Sequence, residues 1–144
     1  MIRKFNLIVL DTNVISEMMR LAPDAKVEKW LDAQVADELW LNSVVIAELM
    51  FGAARLPDGA KKRQLLKSIQ GTVEEDYAGR ILSFDLEAAA AYAKISARCM
   101  AKGRPIDMAD AQIAAICWVQ DAKLATRNTK HFEGLGLKLI NPWV

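Results

Sequence analysis

The sequence predicts an α/β fold built on a parallel sheet, and three observations support this prediction. Short apolar runs typical of buried strands recur along the chain, and most are separated by segments with the apolar spacing of helices. Strands separated by helices favour parallel pairing, because parallel neighbours need a crossover connection. With 144 residues, 53% of them hydrophobic, the chain can bury one substantial core, so we expect a single domain spanning residues 1–144.

The predicted elements alternate from the N-terminus onward. Apolar runs bounded by turn residues predict five strands, at residues 5–10, 39–41, 81–84, 124–126 and 137–140. Apolar spacing predicts helices at residues 14–20, after Pro23, at 43–54, around 65–69, from 86 to about 102 and from 108 to about 120. Ser43, Asp85 and Asp107 are the expected N-caps of three of these helices.

Composition excludes several classes of protein. No stretch approaches twenty uncharged apolar residues, so no transmembrane span is expected. The N-terminal run has neither the length nor the cleavage site of a secretory signal, and a cytoplasmic location is the expectation. Cys99 and Cys117 lie in apolar helical segments, which favours buried thiols over a disulfide.

The histidine count narrows the chemistry further. His131 is the only histidine, and there is no close cysteine pair, so the usual zinc clusters cannot be assembled. A Ser-His-Asp arrangement would have to use that single residue. Carboxylates are therefore the remaining candidates for the chemistry of a site.

Three acids stand out by their positions. Asp11 directly follows the first predicted strand, where the chain turns out of the sheet. Glu48 is the only polar side chain in the segment 44–54, and Asp110 shares the segment 108–119 with a single glutamine. Helices this apolar are usually buried, so we expect both carboxylates to be at least partly desolvated.

Each acid also has an ordinary structural explanation. Asp11 can cap the helix that follows it, and Glu48 can lie exposed to solvent. Asp110 can gain from the helix dipole, although Asp107, which directly precedes the helix, suits this role better. Three acids at one edge of a buried parallel sheet, without an obvious buried Lys or Arg partner, instead favour a hard-cation site for Mg²⁺ or Mn²⁺.

Five segments, in the same order, resemble a known family. They are LDTNVISE from Leu10, AELMFG around Glu48, DAQIAAIC from Asp110, LATRN ending at Asn128 and the closing NPW. This set, which spans essentially the whole chain, is similar to PIN-domain ribonuclease toxins of the VapC and FitB type. The resemblance implies a PIN-like three-layer fold with a central parallel sheet flanked by helices, Mg²⁺- or Mn²⁺-dependent endoribonuclease activity, and a cognate antitoxin protein that blocks the site. A homodimer is the preferred assembly.

By motif, the family's metal-binding acids match Asp11, Glu48 and Asp110. The family often has a fourth acid where this chain has Asn128, and other members have an Asp where this chain has His131. Asn128 can ligate through its carbonyl oxygen but brings no negative charge. These departures leave the number of metal ions open, and we expect one ion in the free protein with a second arriving with the RNA phosphate.

The expected reaction is hydrolysis of an RNA phosphodiester by in-line attack of a metal-activated water. Asp11 and Asp110 are expected to bind the ion, and Glu48 to complete its shell or accept the proton of the water. Thr126 is a candidate hydroxyl contact near the site, and Asn13 a candidate donor to its ligands.

Contacts with the RNA backbone would have to come from local patches, because a net charge of +1 gives no overall basic excess. Arg127, Lys130 and the basic group that begins at Lys61 are candidates for such contacts. Each of them has an equally good interpretation as a solvated surface charge.

Two other functions remain open at this stage. An acid after the first strand also serves phosphatases of the haloacid-dehalogenase type, which form an aspartyl-phosphate, but these usually have a second acid where this chain has Asn13. The other alternative is a catalytically impaired PIN-like module that binds RNA without cutting it. The departures at Asn128 and His131 make that alternative credible.

Overall fold

A five-stranded parallel sheet forms the centre of the computed structural model, which describes residues 6–144. Its strands are β1 (Ile8–Leu10), β2 (Leu39–Asn42), β3 (Ile81–Leu82), β4 (Lys123–Ala125) and β5 (Leu139–Ile140). They lie in the order β3-β2-β1-β4-β5, and every neighbouring pair is parallel. The predicted α/β fold with a central parallel sheet is confirmed.

Six α-helices connect and follow the strands within the described residues. They are α1 (Thr12–Met18), α2 (Ala25–Asp32), α3 (Ser43–Ala54), α4 (Ala60–Gly71), α5 (Leu86–Ala101) and α6 (Met108–Gln120). Short 3₁₀-helices occur at Ala36–Glu38 and Thr129–Phe132, and a π-helical turn at Thr72–Asp76 follows α4. Within residues 6–144, none of the helices has both the length and the apolar character needed to cross a bilayer.

The order of the strands creates a switch point beside β1. From β1 the chain proceeds to β2 and β3 on one side, then returns to β4 and β5 on the other. In open parallel sheets, ligands bind in the crevice beyond the carboxyl ends of the strands at such a point. The residues that directly follow β1 and β4 are therefore placed where a functional site is expected.

Some predicted boundaries were wrong. The first strand begins at Ile8, and of the earlier predicted positions Phe5 lies outside the described residues. Helix α1 begins at Thr12 rather than Val14, because the carboxylate of Asp11 accepts a hydrogen bond from the Thr12 backbone N–H and starts the helix earlier.

The predicted caps were right for one helix and wrong for another. Asp85 caps α5 by accepting from the backbone N–H of Ala88 at 2.9 Å. The cap of α3 is Asn42, whose side-chain oxygen accepts from Val45 N–H at 2.9 Å, while Ser43 is already helical and its hydroxyl accepts from another backbone N–H. Asp107 occupies the N-cap position of α6 but makes no side-chain capping bond.

The core is built around the sheet and includes one side of α6, through residues such as Ile113 and Ile116. Val9 and Leu10 of β1 and Leu124 of β4 are fully buried, and each such side chain contributes about 1.5–3 kcal/mol by its removal from water. Cys117 is buried and Cys99 is partly exposed, and both thiols are free, so the expected absence of a disulfide holds for the described residues.

Helix α3 differs from its prediction in one respect. The sequence pattern predicts burial on every side, but only one side packs into the core, through residues such as Val45 and Leu49. Met50 and Phe51 on the same helix are 51% and 63% exposed. An apolar surface of this kind is typical of a contact with another protein.

Candidate active site

The pairing of β1 with β4 places Asp11 beside Thr126. Leu10 lies opposite Ala125 in the register, and the Asp11 backbone N–H donates to the Ala125 carbonyl at 2.9 Å. Asp11 and Thr126, which directly follow these two residues, therefore lie side by side, and the Thr126 hydroxyl donates to Asp11 Oδ2 at 2.7 Å. Asp11 is 4% exposed and Thr126 is fully buried, so this contact is shielded from water.

Thr12 connects Asp11 to Glu48. Its backbone N–H donates to Asp11 Oδ1 at 2.8 Å, and its hydroxyl donates to Glu48 Oε1 at 2.5 Å. Glu48 lies on α3, directly after β2, which is the neighbour of β1. The carboxylate on α3 is thus brought to the edge of the sheet where Asp11 lies.

Asp110 approaches from α6. It lies in the first turn of that helix and its side chain is 19% exposed. Its Oδ2 lies 3.2 Å from Nδ1 of His131, which belongs to the 3₁₀-helix after β4. His131 therefore faces the acid cluster at the position where other members of the resembled family have an acid.

Burial raises the pKa values of two of the acids, and the charge of Asp11 raises that of Asp110 further. The pKa of Asp11 lies above its ordinary value mainly because the carboxyl is buried, and hydrogen bonds from Thr126 and Thr12 offset only part of this effect. The pKa of Asp110 is raised by burial and then by the negative charge of Asp11, with a smaller opposite effect of His131. The ionised pair is therefore electrostatically unfavourable without a cation.

All three acids line one open cleft of about 520 Å³. Two arginines line the cleft as well, but neither forms a salt bridge with Asp11, Glu48 or Asp110. Arg20 pairs with Glu17 at 3.2 Å, and the guanidinium of Arg127 lies 5.1 Å from the centre of the Trp143 ring. Within residues 6–144, no Lys or Arg neutralises the three acids.

The donor set of the cleft suits a hard divalent cation, although the side chains are not yet gathered as ligands. Across the described residues, no group of three His, Cys, Asp or Glu side chains is close enough together to hold a metal as it stands. Glu48 accepts a hydrogen bond from the Thr12 hydroxyl, and Asp110 contacts the His131 ring. Magnesium requires only one or two carboxylates, since waters and phosphate oxygens complete its octahedron, so buried Asp11 and its neighbour Asp110 fit such an ion.

The family of the chain follows from comparison with known proteins. Residues 8–136 match the PIN domain family. The chain belongs to the PIN domain family. Among its relatives, a VapC ribonuclease of Sinorhizobium fredii is 43% identical over 137 residues, which are 95% of this chain and 98% of that protein. The toxin FitB of Neisseria gonorrhoeae is 39% identical over 137 residues, or 95% of this chain and 99% of that protein.

A solved structure gives the same result for the fold. The crystal structure of FitAcB from Neisseria gonorrhoeae superposes on this PIN domain with a TM-score of 0.87 at 39% identity, and the match covers 95% of this chain and 99% of the other. Six helices around a central parallel sheet, as described here, therefore form a PIN fold.

The residues predicted to support the acids of this PIN domain have different surroundings. Asn13 lines the cleft and its amide lies 3.5 Å from Asp11 Oδ2, at the limit of a hydrogen bond, while its carbonyl oxygen accepts from the backbone N–H of Arg127. The backbone N–H of Asn128 donates to the Thr126 hydroxyl oxygen at 3.0 Å, and Asn128 also lines the cleft. The basic group on α4 that begins at Lys61 does not line the cleft.

Sequence reasoning missed five residues that line the cleft of this PIN domain: Thr12, Ser16, Glu17, Arg20 and Trp143. Thr12 bridges two of the acids, and its only sequence signal is its place directly after Asp11. Glu17 is 6% exposed, and it accepts from the backbone N–H of the α2 cap and pairs with an arginine. Trp143 forms a wall of the cleft, and the closing NPW segment is the signal that could have identified it.

Loss of the Thr126 hydroxyl is expected to destabilise this PIN domain. The Thr126→Val variant keeps the shape of the side chain but leaves Asp11 Oδ2 and the Asn128 N–H without their buried partner. An unsatisfied buried group costs about 1–3 kcal/mol. The free energy of unfolding, measured in urea, should therefore fall by about 1 kcal/mol or more. Thr126→Ser, which retains the hydroxyl, is the matched control; equal stability of the Val variant and the unmodified protein would contradict the role of this hydroxyl.

Proposed function

We propose that this PIN domain is a Mg²⁺-dependent endoribonuclease and the toxin of a type II toxin–antitoxin pair. PIN-domain nucleases use divalent metals, and the observation that supports the proposal here is the cleft itself. Asp11, Glu48 and Asp110 all line it at the switch point of the sheet, and none of them forms a salt bridge with Lys or Arg within the described residues. The names of the relatives, ribonuclease and toxin, support the same conclusion.

Each acid has a separate part in the proposed site. Asp11 is held rigidly by two hydrogen bonds and would be the fixed ligand of the ion. Asp110 would be the second ligand, and Glu48 would complete the shell or accept a proton from the attacking water. When bound, the cation would lower the pKa of a water and neutralise charge on the phosphoryl oxygens. The oxygen donors fit Mn²⁺ as well as Mg²⁺.

Residues of the cleft wall would position the RNA. Arg127 lies over the face of Trp143 and its backbone is held by Asn13, so its guanidinium has a defined place beside the acids. A guanidinium so placed suits contact with phosphate oxygens. The Thr126 hydroxyl supports Asp11 and accepts from the backbone N–H of Asn128, whose exposed side chain lines the cleft and would be able to contact the RNA.

A protein partner is part of the proposal. One relative is named the toxin FitB, and the similar solved structure is FitAcB of the same organism. On this support we assign the chain a cognate antitoxin, together with a homodimeric assembly in the cytoplasm. The exposed Met50 and Phe51 of α3 offer apolar area for such a contact. Growth arrest on expression of the chain alone, relieved by co-expression of a small protein encoded beside it, is the expected result in cells.

The alternative function is an RNA-binding module without cleavage, and one contact favours it. His131 pairs with Asp110, so a ring that can be cationic lies where a further acid would strengthen metal binding. The discriminating experiment incubates the antitoxin-free protein and total cellular RNA with Mg²⁺, with Mn²⁺ or with EDTA. Metal-dependent fragments are the expected result. Intact RNA under every metal condition, with RNA binding retained, would establish the alternative.

A further inference from the structure

A second cavity adjoins the cleft at Asp110. It has a volume of about 370 Å³, and Asp110 lines both this cavity and the cleft, while His131, which contacts Asp110, lines this cavity. The rest of the wall comes from the end of α5, the connection between α5 and α6, and the segment 130–135 after β4. An RNA strand that leaves the cleft past Asp110 would therefore enter this cavity.

Basic side chains outnumber the three acids that line this cavity, which are Asp107, Asp110 and Glu133. Four exposed basic side chains from three segments line it: Arg98, Lys102, Arg104 and Lys130. Among residues 6–144, none of the four forms a salt bridge within 4 Å, although Asp107 and Glu133 also line the cavity. These cations are free to contact an anion from outside the chain.

The backbone fixes the position of one of these cations. Gly103 has a φ of +70°, which ends α5 in a left-handed turn that favours glycine. The Arg104 backbone N–H then donates to the Cys99 carbonyl at 2.9 Å, which returns the chain to the last turn of α5. Arg104 is thereby held close to Arg98 and Lys102 rather than on a free loop.

We propose that this basic cavity binds the RNA backbone at phosphates next to the one that is cleaved, an inference that rests on the proposed function. Phosphate contacts by Lys and Arg position a nucleic acid without reading its sequence. The three acids in the wall, Asp107, Asp110 and Glu133, lower the positive charge of the cavity, so it is suited to a strand with several phosphates rather than to free inorganic phosphate. Continuity with the cleft through Asp110 favours RNA over an acidic protein segment.

The test measures binding of a fluorescein-labelled single-stranded oligouridylate by anisotropy, in EDTA and over a series of salt concentrations. The variant has Arg98→Gln, Lys102→Gln and Arg104→Gln together. We expect its affinity to fall by about tenfold or more and its salt slope to flatten by up to about 2, since each phosphate contact to a single strand contributes about 0.7. Lys130→Gln alone is expected to give a smaller change in the same direction.

The matched control removes the same charge from α4, with Lys61→Gln, Arg63→Gln and Lys67→Gln, because none of these exposed residues lines either cavity. Equal weakening by both triple variants would overturn the proposal, since the effect would then be one of net charge. Unchanged binding by the first variant would overturn it as well and leave the cavity to an acidic protein segment. Because EDTA prevents cleavage, this result stands separately from that of the cleavage assay.

Discussion

Replacement of Asp11 by Asn is expected to lower the rate of metal-dependent RNA cleavage by about 10³-fold. Asp11 is the most buried of the three acids and directly follows β1 beside Thr126, so it is the proposed ligand with the least freedom to be replaced by another residue. A bound divalent ion supplies several kcal/mol of stabilisation to the transition state, and each 1.4 kcal/mol corresponds to a tenfold change in rate. An Asn at this position keeps an oxygen for the Thr12 N–H but loses the charge that holds the ion.

The measurement is kcat on a defined RNA that the unmodified protein cleaves, with circular dichroism to verify the fold. Asp85→Asn is the matched control, because Asp85 also caps a helix with its carboxylate but does not line the cleft. The control should keep full activity. An Asp11→Asn protein that cleaves as fast as the control would remove Asp11 from the proposed site.

Asp110→Asn is expected to stabilise the metal-free protein and to remove most of the stabilisation that metal provides. The folded protein holds the Asp110 carboxyl with a pKa above its ordinary value of 3.8, mainly because of burial and then because of the charge of Asp11. A carboxyl whose pKa is raised by folding favours the folded state while it is protonated, that is, below its ordinary pKa. That contribution to the free energy of unfolding is lost as the pH rises through the raised pKa. At neutral pH the ionised Asp110 therefore opposes folding, and its replacement by a neutral amide relieves that opposition.

Bound metal is expected to reverse this difference in stability between Asp110→Asn and the unmodified protein. An ion that binds only the folded protein adds about 2.7 kcal/mol of stability at a concentration 100 times its Kd. The unmodified protein should gain this stability with Mg²⁺ or Mn²⁺, and Asp110→Asn should gain much less.

Urea unfolding with and without the ion, from about pH 4 to about pH 8, measures both effects. Asp107→Asn is the control on the same helix, because Asp107 does not line the cleft. A variant at Asp110 that gains as much from the ion as the control would contradict the assignment of Asp110 as a ligand. Equal stability of the variant and the unmodified protein without metal, at every pH, would contradict the unfavourable charge in the folded state.

The sequence pattern predicted the fold well because the strands are short apolar runs that differ sharply from their surroundings. Residues 39–41, for example, form most of β2 as predicted. The pattern failed where two local arrangements have almost the same energy, as at the start of α3. Asn42 and Ser43 are both good caps, and the choice depends on β2 ending in an extended residue whose side chain turns back to the helix.

The sequence pointed to the three acids that line the cleft, whose role stays a prediction, but not to the contacts between them. Asp11 and Asp110 were identifiable because a carboxylate beside a buried strand or helix is unusual. The contact between Thr126 and Asp11 depends on the register of β1 against β4, which joins residues more than a hundred positions apart and cannot be read from local spacing. The exposed side of α3 was missed because an apolar helix has the same sequence pattern whether it is buried in its own core or covered by a partner.

The proposed metal site is tested most directly by diffraction from crystals of the antitoxin-free protein soaked in Mn²⁺. The data are measured at a wavelength where manganese scatters anomalously. The expected result is an anomalous peak in the cleft, with carboxylate oxygens of Asp11 and Asp110 at about 2.0–2.2 Å and Glu48 in direct or water-mediated contact. A map without manganese in the cleft, in which Glu48 and Asp110 keep their contacts with Thr12 and His131, would contradict the proposed site.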